Sequence, residues 1–200
     1  MKRKYTLTDE CITVEGSTLY RIRSLRTFAQ VKAGDLGGYV ASKENLSNDG
    51  NSWVYCMAKV SGDARVYGDG WIGGSAHVSE NAHVFGNAHV YGRAQVCGDA
   101  RVFDEVEIGE SATVYEDAVI SGRAMIHGCS WIFGNAHISG STQIFGDTNI
   151  CGDAYMNMNM HEMYYINLKI KLDHGVWTQH IQIDGRNYLI SSTLEKILVG

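Results

Sequence analysis

A triangular parallel β-helix is the fold this sequence predicts, and three observations predict it. Every sixth residue from Val54 to Ile150 is valine or isoleucine, without an exception or an insertion. The position four further on is small (Ala58, Ala64, Gly70, Ala76 and so on to Ala154), with Val106 alone breaking the rule. Between the two, glycine followed by asparagine or aspartate recurs, and the chain contains no proline. A fixed short period means stacked units, each burying its neighbour.

Period six suits neither a helix, which wants 3.6, nor a strand, which wants 2. It fits a short strand, a corner and a new direction. In Val84-Phe85-Gly86-Asn87-Ala88-His89 the valine points inward and its strand neighbours point outward. Gly-Asn supplies the corner because both types tolerate positive φ, and alanine fills the inside of it. Three units close one coil of about 18 residues, stacked roughly 4.8 Å from the next, which gives nearly six coils. Missing proline agrees, since strand N–H groups must bond to the adjacent coil.

Ahead of the repeat, Tyr5–Leu7, Cys11–Glu15 and Thr18–Ile22 read as short strands, with a turn at Glu15-Gly16, and 36–46 as an irregular first coil. An open solenoid end needs covering, so residues 1–50 are expected to form an N-terminal β cap. The repeat domain spans 51–156. Residues 157–200 read as a separate module, with strands at Tyr164–Leu172 and Val176–Ile183. Asp184-Gly185 marks a hairpin into Tyr188-Leu189-Ile190. Ser192-x-x-Glu195 is a capping box that predicts a short helix through Leu198.

Gly34-Asp35-Leu36-Gly37-Gly38-Tyr39-Val40, Asn45-Leu46-Ser47 and Trp53-Val54-Tyr55 precede repeats of the Val-Tyr-Gly-Asp-Ala-Arg style. On these residues the chain, over about 1–155, resembles the hexapeptide-repeat proteins. Among them it is similar to a group from phages and enteric bacteria labelled as acyltransferases. The resemblance implies left-handed coils. It also implies acetyl-CoA bound between coils of adjacent subunits, and a histidine general base acting on an amine or hydroxyl. His89, His83 and His137 are the candidates for that base.

A net charge of −5 and a pI near 5.9 argue against a nucleic-acid binder. Five scattered cysteines without a CxxC pair (Cys11, Cys56, Cys97, Cys129, Cys151) suit reduced thiols in the cytoplasm. No apolar run follows the basic Met1-Lys2-Arg3-Lys4, and none approaches the ~18 residues of a membrane span.

The 18-residue coil sorts outward side chains into columns. One face carries Arg65, His83, Arg101, Val119 and His137 beside Tyr67, Phe85 and Phe103. A second carries Trp53, Trp71, His89, Glu107 and Met125 beside Tyr55 and Tyr91. The third carries Lys59, His77, Gln95, Thr113 and Trp131. His77, His83 and His89 therefore leave on three different faces, so no metal site is expected. Arg65, Tyr67, His83, Phe85, Arg101 and Phe103 form an aromatic and basic ladder of the kind that marks an interface. Asp104, Glu105, Glu107, Glu110, Glu116 and Asp117 form an acidic belt, either solvated or a docking ring for a basic partner. His89 stacks under Glu107 as a candidate imidazole–carboxylate pair.

General-base chemistry needs a walled cleft, and a run without insertions builds none. The expected function is a non-catalytic scaffold or binding protein, of phage type by resemblance. It would form a homodimer or homotrimer and contact a host protein or small ligand. No cofactor, nucleic acid or membrane is expected. The alternative is an acetyl-CoA-dependent O- or N-acyltransferase.

Overall fold

The structure, a computed structural model, describes residues 3–158 and the backbone of three later strands, Thr178–Ile183, Arg186–Ser191 and Ile197–Leu198. It is an all-β parallel solenoid of about seven turns, with one 3-10 turn at Lys43–Asn45. Strands of mostly two residues recur every six residues from Trp53–Val54 to Asn149–Ile150. Each pairs in parallel with the strand 18 residues on: Val54 with Ile72, Val60 with Val78, Val66 with Val84. Three sheets result, one per face.

The backbone explains the period. In each hexad from Trp53 to Phe133 two or three N–H groups bond to carbonyls of the next coil, as Trp71 to Ala88 (2.9 Å), Gly73 to Val90 (2.8 Å) and Ser75 to Gly92 (2.7 Å). The inward aliphatic column and the corner alanines from Ala58 to Ala136 are fully buried. Where the corner residue is Ser130, Thr142 or Thr148, its hydroxyl donates to the carbonyl three residues back at 2.6–2.8 Å, so a polar group is buried without loss.

The solenoid begins earlier than the repeat. β1 (Tyr5–Val14) and β2 (Ser17–Ser24) form a hairpin whose two-residue turn puts Glu15 at φ 50° and Gly16 at φ 79°. The two strands expected over 5–15 are thus one strand. Its register shifts between Leu7 and Cys11, where polar Thr8-Asp9-Glu10 bulges rather than breaks the chain. β2 pairs with β3 (Leu36–Val40), and β3 pairs in parallel with Lys59–Val60. Val40 sits over Val60 and Leu46 over Val66, a spacing of 20 rather than 18 residues. This coil carries two extra residues. Gly37 and Gly38 make it possible: a Cβ on Gly37 would lie 2.6 Å from Ile22 Cγ1 and from the Val54 carbonyl, and one on Gly38 would strike the Ala58 carbonyl.

Trp53, expected to face outward, is buried instead, because Tyr5 and Phe28 pack edge-on against it at 6.2 and 5.4 Å. Beside them Lys4 is fully buried. Its Nζ donates to the Ser52 carbonyl (2.8 Å), Ser52 Oγ (3.1 Å) and the Asp49 carbonyl (3.5 Å), and lies 5.4 Å from the Phe28 ring centre. Burial, aided by Arg26 and opposed by Asp49 and Asp69, lowers its pKa from the ordinary 10.5 to about 8.

At the other end, His137–Gly140 pairs residue for residue with Tyr155–Met158, so the coil continues through Met156. Thr178–Ile183 and Arg186–Ser191 are antiparallel, and Ile197–Leu198 adds to the latter as a strand. The helix expected through Leu198 is therefore corrected at 197–198. An isolated turn of helix is marginal in water, whereas these two residues complete ladder bonds beside Tyr188 and Leu189. The expected strand at Tyr164–Leu172, the turn at 184–185 and the capping box at 192–195 lie outside the described residues.

Lys4 yields a signed prediction. Between pH 8 and 10.5 the unfolded chain holds a proton on Lys4 that the folded chain has released, so stability rises with pH across that window. The shift corresponds to at most about 3 kcal/mol. In urea melts at stepped pH, the wild type should gain stability relative to Lys4→Met from pH 7 to 10. Parallel curves for the two proteins would show that Lys4 does not titrate in its site beside Ser52 and Phe28.

Candidate functional site

The outer faces are the places where chemistry is available, and the strand register assigns every outward residue to one. The first face stacks Arg65, His83, Arg101, Val119, His137 and Tyr155 in one column. In the next column Tyr67 stacks on Phe85 at 4.7 Å and 4°, and Phe85 on Phe103 at 4.9 Å and 9°. Arg101 lies 6.0 Å from both phenylalanine rings. Each ring is half-buried by its neighbours, so the ladder satisfies much of its own apolar surface within the chain. Burial, then Arg65 and Arg101, holds the His83 imidazole below its usual range, against Asp99.

The second face contains a larger aromatic assembly than the sequence suggested. Tyr55 contacts Trp71 at 5.4 Å, Trp71 stacks on His89 at 4.9 Å, and Tyr91 meets Trp71 and His127 edge-on. His127 contacts Phe145 at 5.5 Å. Its Nε2 is buried without a hydrogen-bond partner. Gly73 and Gly109 occupy outward strand positions on this face. Trp71 lies where a Gly73 side chain would stand, and a Cβ on Gly109 would fall 2.8 Å from the Tyr91 ring. Two glycines away from any corner were the readable signal of rings laid across the sheet.

His89 and Glu107 are register neighbours, yet they form no ion pair; His89 stacks on Trp71 instead. Glu107 lies beside Tyr91, whose phenol is raised by burial first and then by Glu107 and Glu110. On the third face Ser61 Oγ and His77 Nε2 are 2.8 Å apart, and burial lowers the His77 pKa while Glu15 opposes. Tyr115 stacks on Phe133, and Trp131 is half exposed. His83 and His137 share the first face, His89 sits on the second, and they do not converge. Among the described residues no three His, Cys, Asp or Glu side chains group closely enough to hold a metal ion.

The acidic belt resolves into separate roles. Asp104, Glu110 and Glu116 stand at corners with φ of 63°, 56° and 57°. Their carboxylates accept from the N–H of Gly122 (3.0 Å), Gly128 (2.7 Å) and Gly134 (2.8 Å), each one coil on. Glu80 does the same for Gly98, a member the belt had not included. Glu105 pairs with Arg123 at 2.9 Å, both well exposed, and such a pair contributes little. Around them lies an open, shallow corner groove lined by Gly86, Asn87, Asp104, Glu105, Gly122 and Arg123. Asp117 is exposed.

A family model described as YdcK beta solenoid repeat matches residues 58–74. No curated protein matches the chain.

The corner acids predict a contrast between two substitutions. Glu110→Ala keeps the left-handed φ, which costs a non-glycine residue about 1 kcal/mol, and loses a hydrogen bond worth about as much. Glu110→Gly loses the bond but relieves the backbone. Thermal melts should show Glu110→Ala lower by about 3 °C and Glu110→Gly near wild type. Equal losses in both would remove the backbone half of this account.

Proposed function

We propose that the chain is a non-catalytic β-solenoid scaffold acting through its flat faces, on itself and on a host protein or small ligand. One observation carries the reading: the register runs unbroken from Trp53 to Ile150, so no coil extends a loop to wall a cleft. The separation of His83, His89 and His137 supports it. The first face, with Arg65 and Arg101 beside Tyr67, Phe85 and Phe103, is the surface we assign to the partner. No described helix is long and apolar enough to cross a membrane.

The acyltransferase alternative rests on sequence resemblance. Titration calorimetry with acetyl-CoA separates the two readings. The scaffold reading expects no saturable heat at micromolar ligand. A micromolar isotherm, with acyl transfer lost in His89→Ala, would establish the enzyme.

A further inference from the structure

We infer that Arg65, His83 and Arg101 form a binding site for a tetrahedral oxyanion, the chemistry that a phosphate group presents. The inference names what the first face recognises, and it rests on the proposal that this face meets a partner or ligand.

The strand register places the three side chains in one column on successive coils. Coil spacing sets the two arginine backbones about 10 Å apart, a gap that guanidinium groups on long stems close from either side of His83. Arg101 already leans that way. Its Cζ is 6.0 Å from the Phe103 ring centre in its own coil and 6.0 Å from the Phe85 ring centre in the coil of His83. His83 is only partly covered, and both arginines are exposed, so the column is open to a solute.

The field at the imidazole is positive. Among the described residues neither arginine has an acid within ion-pair distance. Asp63 and Asp99 stand on the neighbouring corner column, and Asn81 between them donates to Asp99 at 3.0 Å. Glu44, on the 3-10 turn, is within electrostatic reach of Arg65, and the Tyr67 ring meets His83 edge-on at 5.9 Å. Burial, then Arg65, then Arg101 hold the imidazole below its ordinary range, and Asp99 opposes them with the smallest effect. Arginine charge therefore outweighs carboxylate charge here. An anion relieves that crowding of cations and favours a proton on His83, so binding and protonation are coupled. The donors come from three successive coils. A tetrahedral oxyanion offers oxygens to all three, whereas a planar carboxylate has only two.

The test is the His83 titration, followed by NMR on the full chain, with its resonance identified by loss in His83→Gln. Sulfate is the probe because it keeps its double charge across the range, and sodium chloride at equal ionic strength is the reference. The His83 midpoint should rise in sulfate, and sulfate should bind several-fold tighter below the imidazole range than above it. Arg65→Gln and Arg101→Gln should each weaken sulfate binding about tenfold. Each should also begin from a higher midpoint in chloride, since one opposing charge is gone, which shows that the column itself is intact. Equal midpoints in sulfate and chloride, arginine variants that keep the full sulfate response, or acetate as effective as sulfate would each overturn the site. An acetyl-CoA isotherm lost in His89→Ala would overturn the scaffold reading and leave the sulfate response in place, so the two failures are distinguishable.

Discussion

From Val54 onward every inward aliphatic residue stacks on another 18 positions away, and the backbone between them bonds vertically to the next coil. That coupling of side-chain column to hydrogen-bond ladder governs the rest of the molecule. A strand of two residues has no stability of its own, and here it never stands alone. Its N–H groups point along the solenoid axis, so each coil is the hydrogen-bonding partner of the next. Loss of phase at any corner would turn an aliphatic residue outward and leave buried carbonyls without donors, both costly at once.

The same constraint organises the surface. Outward residues are forced into columns roughly 4.8 Å apart, close to aromatic stacking distance. Tyr67, Phe85 and Phe103 therefore pack on one another. The corner N–H groups that point along the axis are met by acids from the preceding coil, so Asp104, Glu110 and Glu116 act as caps on Gly122, Gly128 and Gly134. The prism thus leaves few side chains free, and those it leaves lie on flat faces.

The solenoid was legible because its core depends on residue type alone: a β-branched aliphatic residue every six positions admits one reading. The face assignment followed by counting, and the strand register agrees with it column by column. What escaped the sequence was set by neighbours remote in the chain. Val40 and Leu46 belong to the inward column but stand two residues out of phase. Trp53 occupies an outward position that the cap covers from 25 to 48 residues away. The acids at corners looked like a belt because a carboxylate's partner, a backbone N–H one coil on, has no sequence signature. His89 and Glu107 were correctly placed as neighbours, but the nearby indole of Trp71 offers the imidazole a larger contact. The helix expected through Leu198 was a local inference, and at Ile197-Leu198 a strand edge takes its place.

The central claim is that phase, more than any one side chain, holds the fold. Deleting residues 83–100 removes one whole coil and joins Ala82 to Arg101 in phase. Deleting residues 83–99 removes one residue fewer and shifts everything beyond the junction. Far-ultraviolet circular dichroism with thermal denaturation compares the two. The account predicts that the first deletion keeps the β signal and a cooperative melt, while the second loses both. Two deletions that melt alike would contradict it.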